Sequence, residues 1–409
     1  MEVKPGYKLT EVGVIPEDWE VKKLGELTTT VASGRSGAGT DFGNYPVHGS
    51  TGIIGFTDSP EYIGDAIMVA RVGANAGKLN AVTGKYGVTD NTIIIRFVSG
   101  LCLMFYLRLL ELKQLNSLVF GSGQPLITGT QLKNLHVYAP PLPEQTAIAT
   151  TLSDVDALIS SLDALISKKK QIKQGAMQEL LSGKRRLPGF SGEWGHYLFG
   201  NLFKFSGGWS ASRDQLSQDG YCYLHYGDIH LSKKTFIEVQ KEYHLIPKLT
   251  IQINRVSPEA ILKDGDIVFV DASEDDNGTS RHLVISNPTD IPFISGLHTI
   301  VAKSNNHTLD NLFKRYCFQS LEIKKQFRFF SVGTKVSGIN KSNIVKLHLS
   351  APPLPEQQAI AAILSDMDAE ITTLESRRDK TKLLKQGMMQ ELLTGRIRLI
   401  PPAAHAVSA

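Results

Sequence analysis

The chain has 409 residues, 42% of them apolar and 21% charged, with a net charge of +4. At roughly 100 to 200 residues per domain, this is material for two to four domains, each able to bury its own core. The nearest candidate for a membrane span, Leu101 to Leu112, is short and contains Arg108, and Lys4 and Lys8 are followed by no apolar segment; a span and a secretion signal are both excluded as readings, and the expected location is cytoplasmic.

In chain order, Trp19 to Ala139 is a variable region rich in Gly, Asn, Asp and Ser, with candidate strands at Ala66 to Val72 and Asn91 to Phe97 and a helical stretch at Leu101 to Leu115. A Pro-rich opening at Pro140 then leads into a long helix. Glu144 suits the positive end of its dipole, and Ile148, Leu152, Val155, Ile159, Leu162 and Ile166 alternate steps of four and three, the period of a coiled-coil seam. A helix from Glu144 to Leu181 would be about 57 Å long, with Gly175 a soft point near its end. The second variable region, Trp194 to Ala351, has candidate strands at Ile267 to Asp271 and Thr299 to Ala302 and a helical stretch at Leu309 to Phe330. From Asp310 to Lys346 it carries eight Lys and Arg against two acidic residues, so much of the excess charge sits there. Cys102, Cys222 and Cys317 are too dispersed for a zinc or disulfide pattern and are expected as buried, reduced thiols.

The Pro-rich opening then returns. Pro140 to Gly183 and Pro352 to Gly395 share 27 identities in 44 positions at a constant offset, and Ile360, Leu364, Met367, Ile371 and Leu374 repeat the apolar seam, with Gly387 in the place of Gly175. Trp19, Gly25 and Leu27 match Trp194, Gly200 and Leu202 at an offset shorter by 37, so the second variable region holds that many extra residues. A narrow apolar stripe of this length needs a partner, and the other copy in the same chain is the nearest one. Two similar halves related by a pseudo-two-fold axis make the helices antiparallel and throw the variable regions to opposite ends. After the helices, Gly183-Lys184-Arg185-Arg186-Leu187 parallels Gly395-Arg396-Ile397-Arg398-Leu399, but only the first continues into a Trp-containing segment; the missing continuation stands at the N-terminus, Gly13 to Trp19. The repeat is circular, which places the chain start beside the end of the second helix.

Catalytic signatures fail on inspection. Gly73-Ala74-Asn75-Ala76-Gly77-Lys78-Leu79 has three residues between its glycines where a phosphate loop needs four, and Leu79 replaces the magnesium-binding hydroxyl. No Asn-Pro-Pro-aromatic or Asp-Pro-Pro-aromatic signature of an adenine methyltransferase occurs. The acidic run Asp271 to Asp276, with Glu274 and Asp275, could hold a metal but follows a strand and reads as a solvated turn; no metal site is assigned. Lys173-Gln174-Gly175 and Lys385-Gln386-Gly387 could face a partner or coat a helix, and Trp19, Trp194 and Trp209 are expected as packing anchors.

Together, the repeated Pro-Pro-Leu-Pro-Glu-Gln, the long helix, Gln-Glu-Leu-Leu followed by Gly and basic residues, and the Trp19 and Trp194 segments resemble the specificity subunit of type I restriction-modification systems, over nearly the whole chain. The resemblance implies an α+β fold: two α/β target recognition domains separated by two long antiparallel helices that form an intramolecular coiled coil with pseudo-two-fold, circular-repeat symmetry. It divides the chain into a first recognition domain at 1–139, a helical spacer at 140–187, a second recognition domain at 188–351, a second spacer at 352–400 and a flexible tail at 401–409. It further implies a non-catalytic DNA specificity subunit that reads an asymmetric bipartite target, half-sites about one helical turn, roughly 34 Å, apart, one half per domain. Implied partners are double-stranded DNA, two copies of a modification methyltransferase and the restriction/translocase subunits, with no membrane; S-adenosylmethionine, ATP and magnesium belong to those partners, not to this chain. Candidate DNA contacts are His48, Ser50, Thr51, Arg71, Asn75, Lys78 and Gln124 in the first domain, and Arg213, His230, Arg281, Thr334 and Lys335 in the second. The turns Gly121-Ser122-Gly123-Gln124 and Gly333-Thr334-Lys335 could bring backbone N–H groups to phosphates, though ordinary turn chemistry also explains their glycines. Two other readings stay open: the recognition subunit of a fused methylase-nuclease system, and a duplicated coiled-coil scaffold without DNA binding.

Overall fold

A computed structural model describes residues 4–119, 126–232, 234–273, 280–331 and 337–401. The chain folds as two compact units, Met1–Ala164 with Glu375–Ala409, and Leu165–Leu374. Each unit therefore holds one variable region, the first half of the helix that follows it and the second half of the other helix. The two long helices run Leu142–Leu180 and Leu354–Leu392. Gly175 and Gly387 lie inside them without ending them, because the helical hydrogen-bond ladder continues on both sides.

In unit 1 an antiparallel sheet orders its strands Thr28–Ser33, Thr92–Phe97, Ala66–Ala70, Leu79–Val82. Ala66–Ala70 is buried at every position, as an unbroken apolar run covered on both faces must be. A second sheet orders Gly52–Thr57, Tyr45–Gly49, Lys85–Val88, Tyr62–Ile63, its central pair parallel. Helix Leu103–Leu112 covers the first sheet and packs Phe105, Tyr106, Leu109 and Leu110 into a core that also takes Ile148 and Leu152 of the first long helix and Leu392 and Leu393 at the end of the second.

Unit 2 repeats the plan with additions. Its larger sheet orders Phe203–Gly207, Thr299–Ser304, Ile267–Val270, His282–Ser286, and adds Phe236–Glu238 as a fifth, parallel strand. Its smaller sheet pairs Tyr221–Leu224 with Phe293–Ser295 in parallel. The stretch Leu309 to Phe330 forms two helices, Asn311–Cys317 and Leu321–Phe330, since Asp310 and Ser320 each cap a separate helix start with their side-chain oxygens. Ile360, Leu364, Met177 and Leu180 join this unit's core. Cys222 and Cys317 are buried and Cys102 is half-buried; all three are free thiols.

Within unit 1, Asp156 meets Lys385 at 2.6 Å and Asp163 meets Arg378 at 3.2 Å. Within unit 2, Lys173 meets Asp368 at 2.5 Å and Lys169 meets Glu370 at 2.7 Å. In both units the index rises along one helix as it falls along the other, so the pairing is antiparallel. Along the seam Ile148, Leu152, Leu162, Ile166, Ile360, Leu364 and Ile371 are buried, while Val155, Ile159, Met367 and Leu374 are half-buried.

The repeated Pro-Pro-Leu-Pro-Glu-Gln works as a two-part fastener. Gln145 donates to the Pro140 carbonyl and accepts from the N–H of Cys102, the residue capping helix Leu103–Leu112; Gln357 does the same with Pro352 and Asp310. The glutamates are buried. Glu144 accepts from Trp19 Nε1 at 2.9 Å and from Arg398 Nε at 2.5 Å, and Arg398 also forks onto Asp18. In unit 2 Arg186 forks onto both oxygens of Glu356 at 2.6 Å. Each opening is thus tied, inside its own unit, to the basic segment that ends the other repeat. The circular relationship is equally direct: Tyr7–Thr10 and Gly13–Pro16 form a hairpin, Tyr7 donates to the Gly395 carbonyl at 3.0 Å, and Gly395 has φ of +73° with Pro16 packed where a Cβ would stand. Trp194 lies against Gly183, which also has a positive φ, of +70°, at ordinary contact distance. Trp19 is fully buried, whereas Trp194 and Trp209 are partly buried packing residues.

Candidate nucleic-acid interface

In unit 1, strand Tyr45–Gly49 brings His48 to its end, and Ser50 and Thr51 occupy the turn into Gly52–Thr57. Beside this turn lies a small cavity of about 180 Å³ walled by His48, Ser50, Thr51, Lys78, Asn80 and Thr92, with Met68 and Ala70 beneath. Thus four of the candidates, His48, Ser50, Thr51 and Lys78, converge. His48 is 7% exposed, and its burial pulls the imidazole below its ordinary pKa, so it is neutral at pH 7. Its ring stands edge-on to Tyr86 at 6.2 Å; Tyr86 stacks on Tyr62, and the Arg96 guanidinium lies 5.7 Å over Tyr62.

Arg71 is half-buried and donates to Ser33 Oγ at 3.2 Å. Asn75 closes a short turn with Lys78, lining a separate groove of about 460 Å³ with Glu111 and Gln114. The glycines here are structural: Gly77 has φ of +88°, and a Cβ would come within 2.4 Å of the Asn116 backbone nitrogen.

In unit 2, Arg213, His230 and Arg281 gather around helix Tyr226–Leu231. His225 caps that helix by accepting from the N–H of Gly227; Arg213 bonds Asp228 at 2.7 Å and approaches His225 Nδ1 at 3.2 Å. Burial first, then the neighbouring Arg213 charge, lowers the pKa of His225. Arg281 donates to the His230 carbonyl, and His230 Nε2 lies 3.3 Å from the Ala272 carbonyl. Tyr226 packs on His225 at 4.5 Å and against His298 at 5.5 Å, and His298 holds φ of +57° beside Asp271. Residues such as Asn80, Thr92, His225 and His298 carry no periodicity and match no motif, so pattern reading had no signal for them.

Gln124, Thr334 and Lys335, both polar turns, Glu274 to Asp276 and most of the C-terminal tail lie outside the described residues. The basic segment is not a uniform surface. Lys314 is 3% exposed and donates to the Gly265 carbonyl, Ser304 and Asn311, while Arg315 lies 3.9 Å over the Phe236 ring. Lys173 and Lys385 are engaged in the interhelical ion pairs; Gln174 and Gln386 are exposed.

Residues 16–174 and 193–384 match the family model of the type I restriction modification DNA specificity domain. The chain is 27% identical over 439 residues to the type I restriction enzyme MjaX specificity subunit of Methanocaldococcus jannaschii, covering 96% of this chain and 97% of that protein. It is 24% identical over 426 residues to the MjaVIII specificity subunit of the same organism, covering 94% of each. Its fold is similar to the crystal structure of the type I restriction-modification S subunit from M. genitalium, with a TM-score of 0.59 at 15% identity over 96% of this chain and 98% of that one. With the specificity domain matched twice over most of its length, the chain belongs to the family of type I restriction-modification DNA specificity subunits.

Proposed function

We propose that each unit reads one half of an asymmetric, bipartite duplex target, and that the two long helices act as the spacer between the reading heads. The observation that carries this is a shared framework with unlike decoration: both units place a parallel strand pair at the same point, yet one ends it with His48, Ser50 and Thr51 and the other with His225 and Tyr226. Equal frameworks with unequal side chains at the same edge suit two different base sequences. As a specificity subunit the chain is the non-catalytic component, so methyl transfer and cleavage fall to partners.

Those partners, in this reading, are two methyltransferase copies and the restriction/translocase subunits, which bring S-adenosylmethionine, ATP and magnesium. Leu165 and Ile172 in unit 2, and Leu383 and Leu384 in unit 1, are exposed apolar side chains on the long helices, a suitable seat for partner helices. Among the described residues no helix is long and apolar enough to cross a membrane, and a cytoplasmic complex is the setting proposed.

Replacing residues 19–139 with the corresponding region of another specificity subunit, then mapping modified adenines in cells that also carry the methyltransferase, tests the reading. One half of the methylated motif changes and the other stays. A change in both halves, or in neither, overturns it.

A further inference from the structure

We propose that the cavity beside the Ser50–Thr51 turn is a base-reading subsite: it takes the edge of one adenine of an A·T pair in the half-site gripped by unit 1, with Asn80, His48 and Thr92 as the reading set. This rests on the DNA-recognition function above and adds a location and a base class to it.

Three observations converge. His48 Nδ1 and Thr92 Oγ1, on two residues that line the cavity, are buried and have no hydrogen-bond partner among the described residues. Buried polar groups are normally paired, and each one left alone costs the fold free energy, so two of them on residues walling one cavity point to a ligand.

The second observation is internal to the chain. Thr89 N–H bonds the His48 carbonyl after one parallel strand pair, and Gly296 N–H bonds the Leu224 carbonyl after the other. Thr92 then pairs with Ala70 in one sheet, as Thr299 pairs with Val270 in the other. By this register Leu224 occupies the His48 position and Thr299 the Thr92 position. Thr299 is satisfied inside its unit, by Ser295 Oγ at 2.8 Å and the Gly296 carbonyl at 2.6 Å. At the same register unit 2 therefore has an apolar side chain and an internally bonded threonine, where unit 1 has a histidine and a threonine whose buried polar atoms lack a partner among the described residues.

The third is fit. At about 180 Å³ the cavity is well below the roughly 300–1,000 Å³ of sites that enclose a whole small molecule, and suits one inserted group. Its buried polar members are neutral groups able to donate or accept, with Asn80 at the rim. Adenine offers an acceptor and a donor side by side, which an Asn amide matches in two bonds; guanine offers two acceptors and is matched by Arg or Lys, and the one cation in this lining, Lys78, is exposed. Met68 and Ala70 give an apolar floor for the thymine methyl group, and exposed Lys78 is left for a phosphate. The Tyr86, Tyr62 and Arg96 stack holds the His48 ring in place before DNA arrives.

The test uses the chain assembled with its methyltransferase. Asn80→Ala, at an exposed position that does not threaten the fold, and His48→Asn are compared with wild type by adenine-methylation mapping and by affinity for duplexes varied one position at a time. The expected result is a loss of about tenfold or more in discrimination at one A·T position of the unit 1 half-site, with the other half-site unchanged and Tm unchanged for Asn80→Ala. Relaxation at a G·C position, or an unaltered motif in both variants, overturns the subsite. A wild-type complex that methylates no bipartite motif overturns the DNA-reading function itself and the subsite with it.

Discussion

His282 shows how far a residue's chemistry is set by its surroundings. It sits in strand His282–Ser286, 4% exposed, with Phe269 and Phe318 at 5.7 and 5.3 Å, and burial pushes its pKa down to about 4 from an ordinary 6.5. The folded state therefore keeps the ring neutral while the unfolded chain takes up a proton below pH 6.5. The stability this contributes is present above pH 6.5 and drains away as pH falls to about 4, on the order of 3 kcal/mol in all. Urea unfolding at pH 7 and at pH 4 should show that loss, and His282→Gln should flatten the difference. His48 shifts in the same direction for the same reason, but its residue helps wall a cavity. Sequence pattern alone treats the two as equivalent polar letters.

At the scale of elements, the hexapeptide illustrates one sequence feature with three structural uses. Its prolines begin a helix, its glutamine fixes a recognition-domain helix to the spacer, and its glutamate neutralises an arginine from the far end of the other repeat. Glu144 is 1% exposed, so its charge depends on Arg398 and Trp19 for compensation. Arg398→Ala would strand that carboxylate and should destabilise unit 1 by about 3–5 kcal/mol, read as a lowered midpoint in denaturant. The double variant Glu144→Gln with Arg398→Ala should recover part of the loss, since no buried charge is then left alone. Helix phasing and the Glu and Arg of this clasp were visible as repeated letters; that they face each other across copies follows only from antiparallel pairing.

For the molecule as a whole, the proposed spacer role makes the length of the two helices the quantity to test. Removing one heptad from each, between Ile148 and Ile166 and between the matching residues 360 and 378, keeps the seam in phase and shortens the spacer by about 10 Å. At 3.4 Å per base pair, methylation mapping should find the gap between half-sites reduced by about three base pairs with both half-sites intact. Altered base preference would count against the spacer role.

The amino-acid sequence by itself determined the duplication, the 3.5-residue seam, the circular cut at the termini and the absence of a catalytic signature, because these are one-dimensional facts: identities at a fixed offset and apolar residues at a fixed period. It also located strands such as Ala66–Ala70 and Thr92–Phe97 to within two residues, since buried β-branched runs are conspicuous. Tertiary structure alone decided which side chains come together at the candidate site. His48, Thr92 and Asn80 lie on three different strands and meet only because two sheets bring their ends together, and of the basic residues counted in the second region Lys314 is buried against a carbonyl while Arg315 is half-buried over an aromatic ring. Periodicity reports the face a residue belongs to; it is silent on which distant residue shares that face, and recognition depends on that pairing.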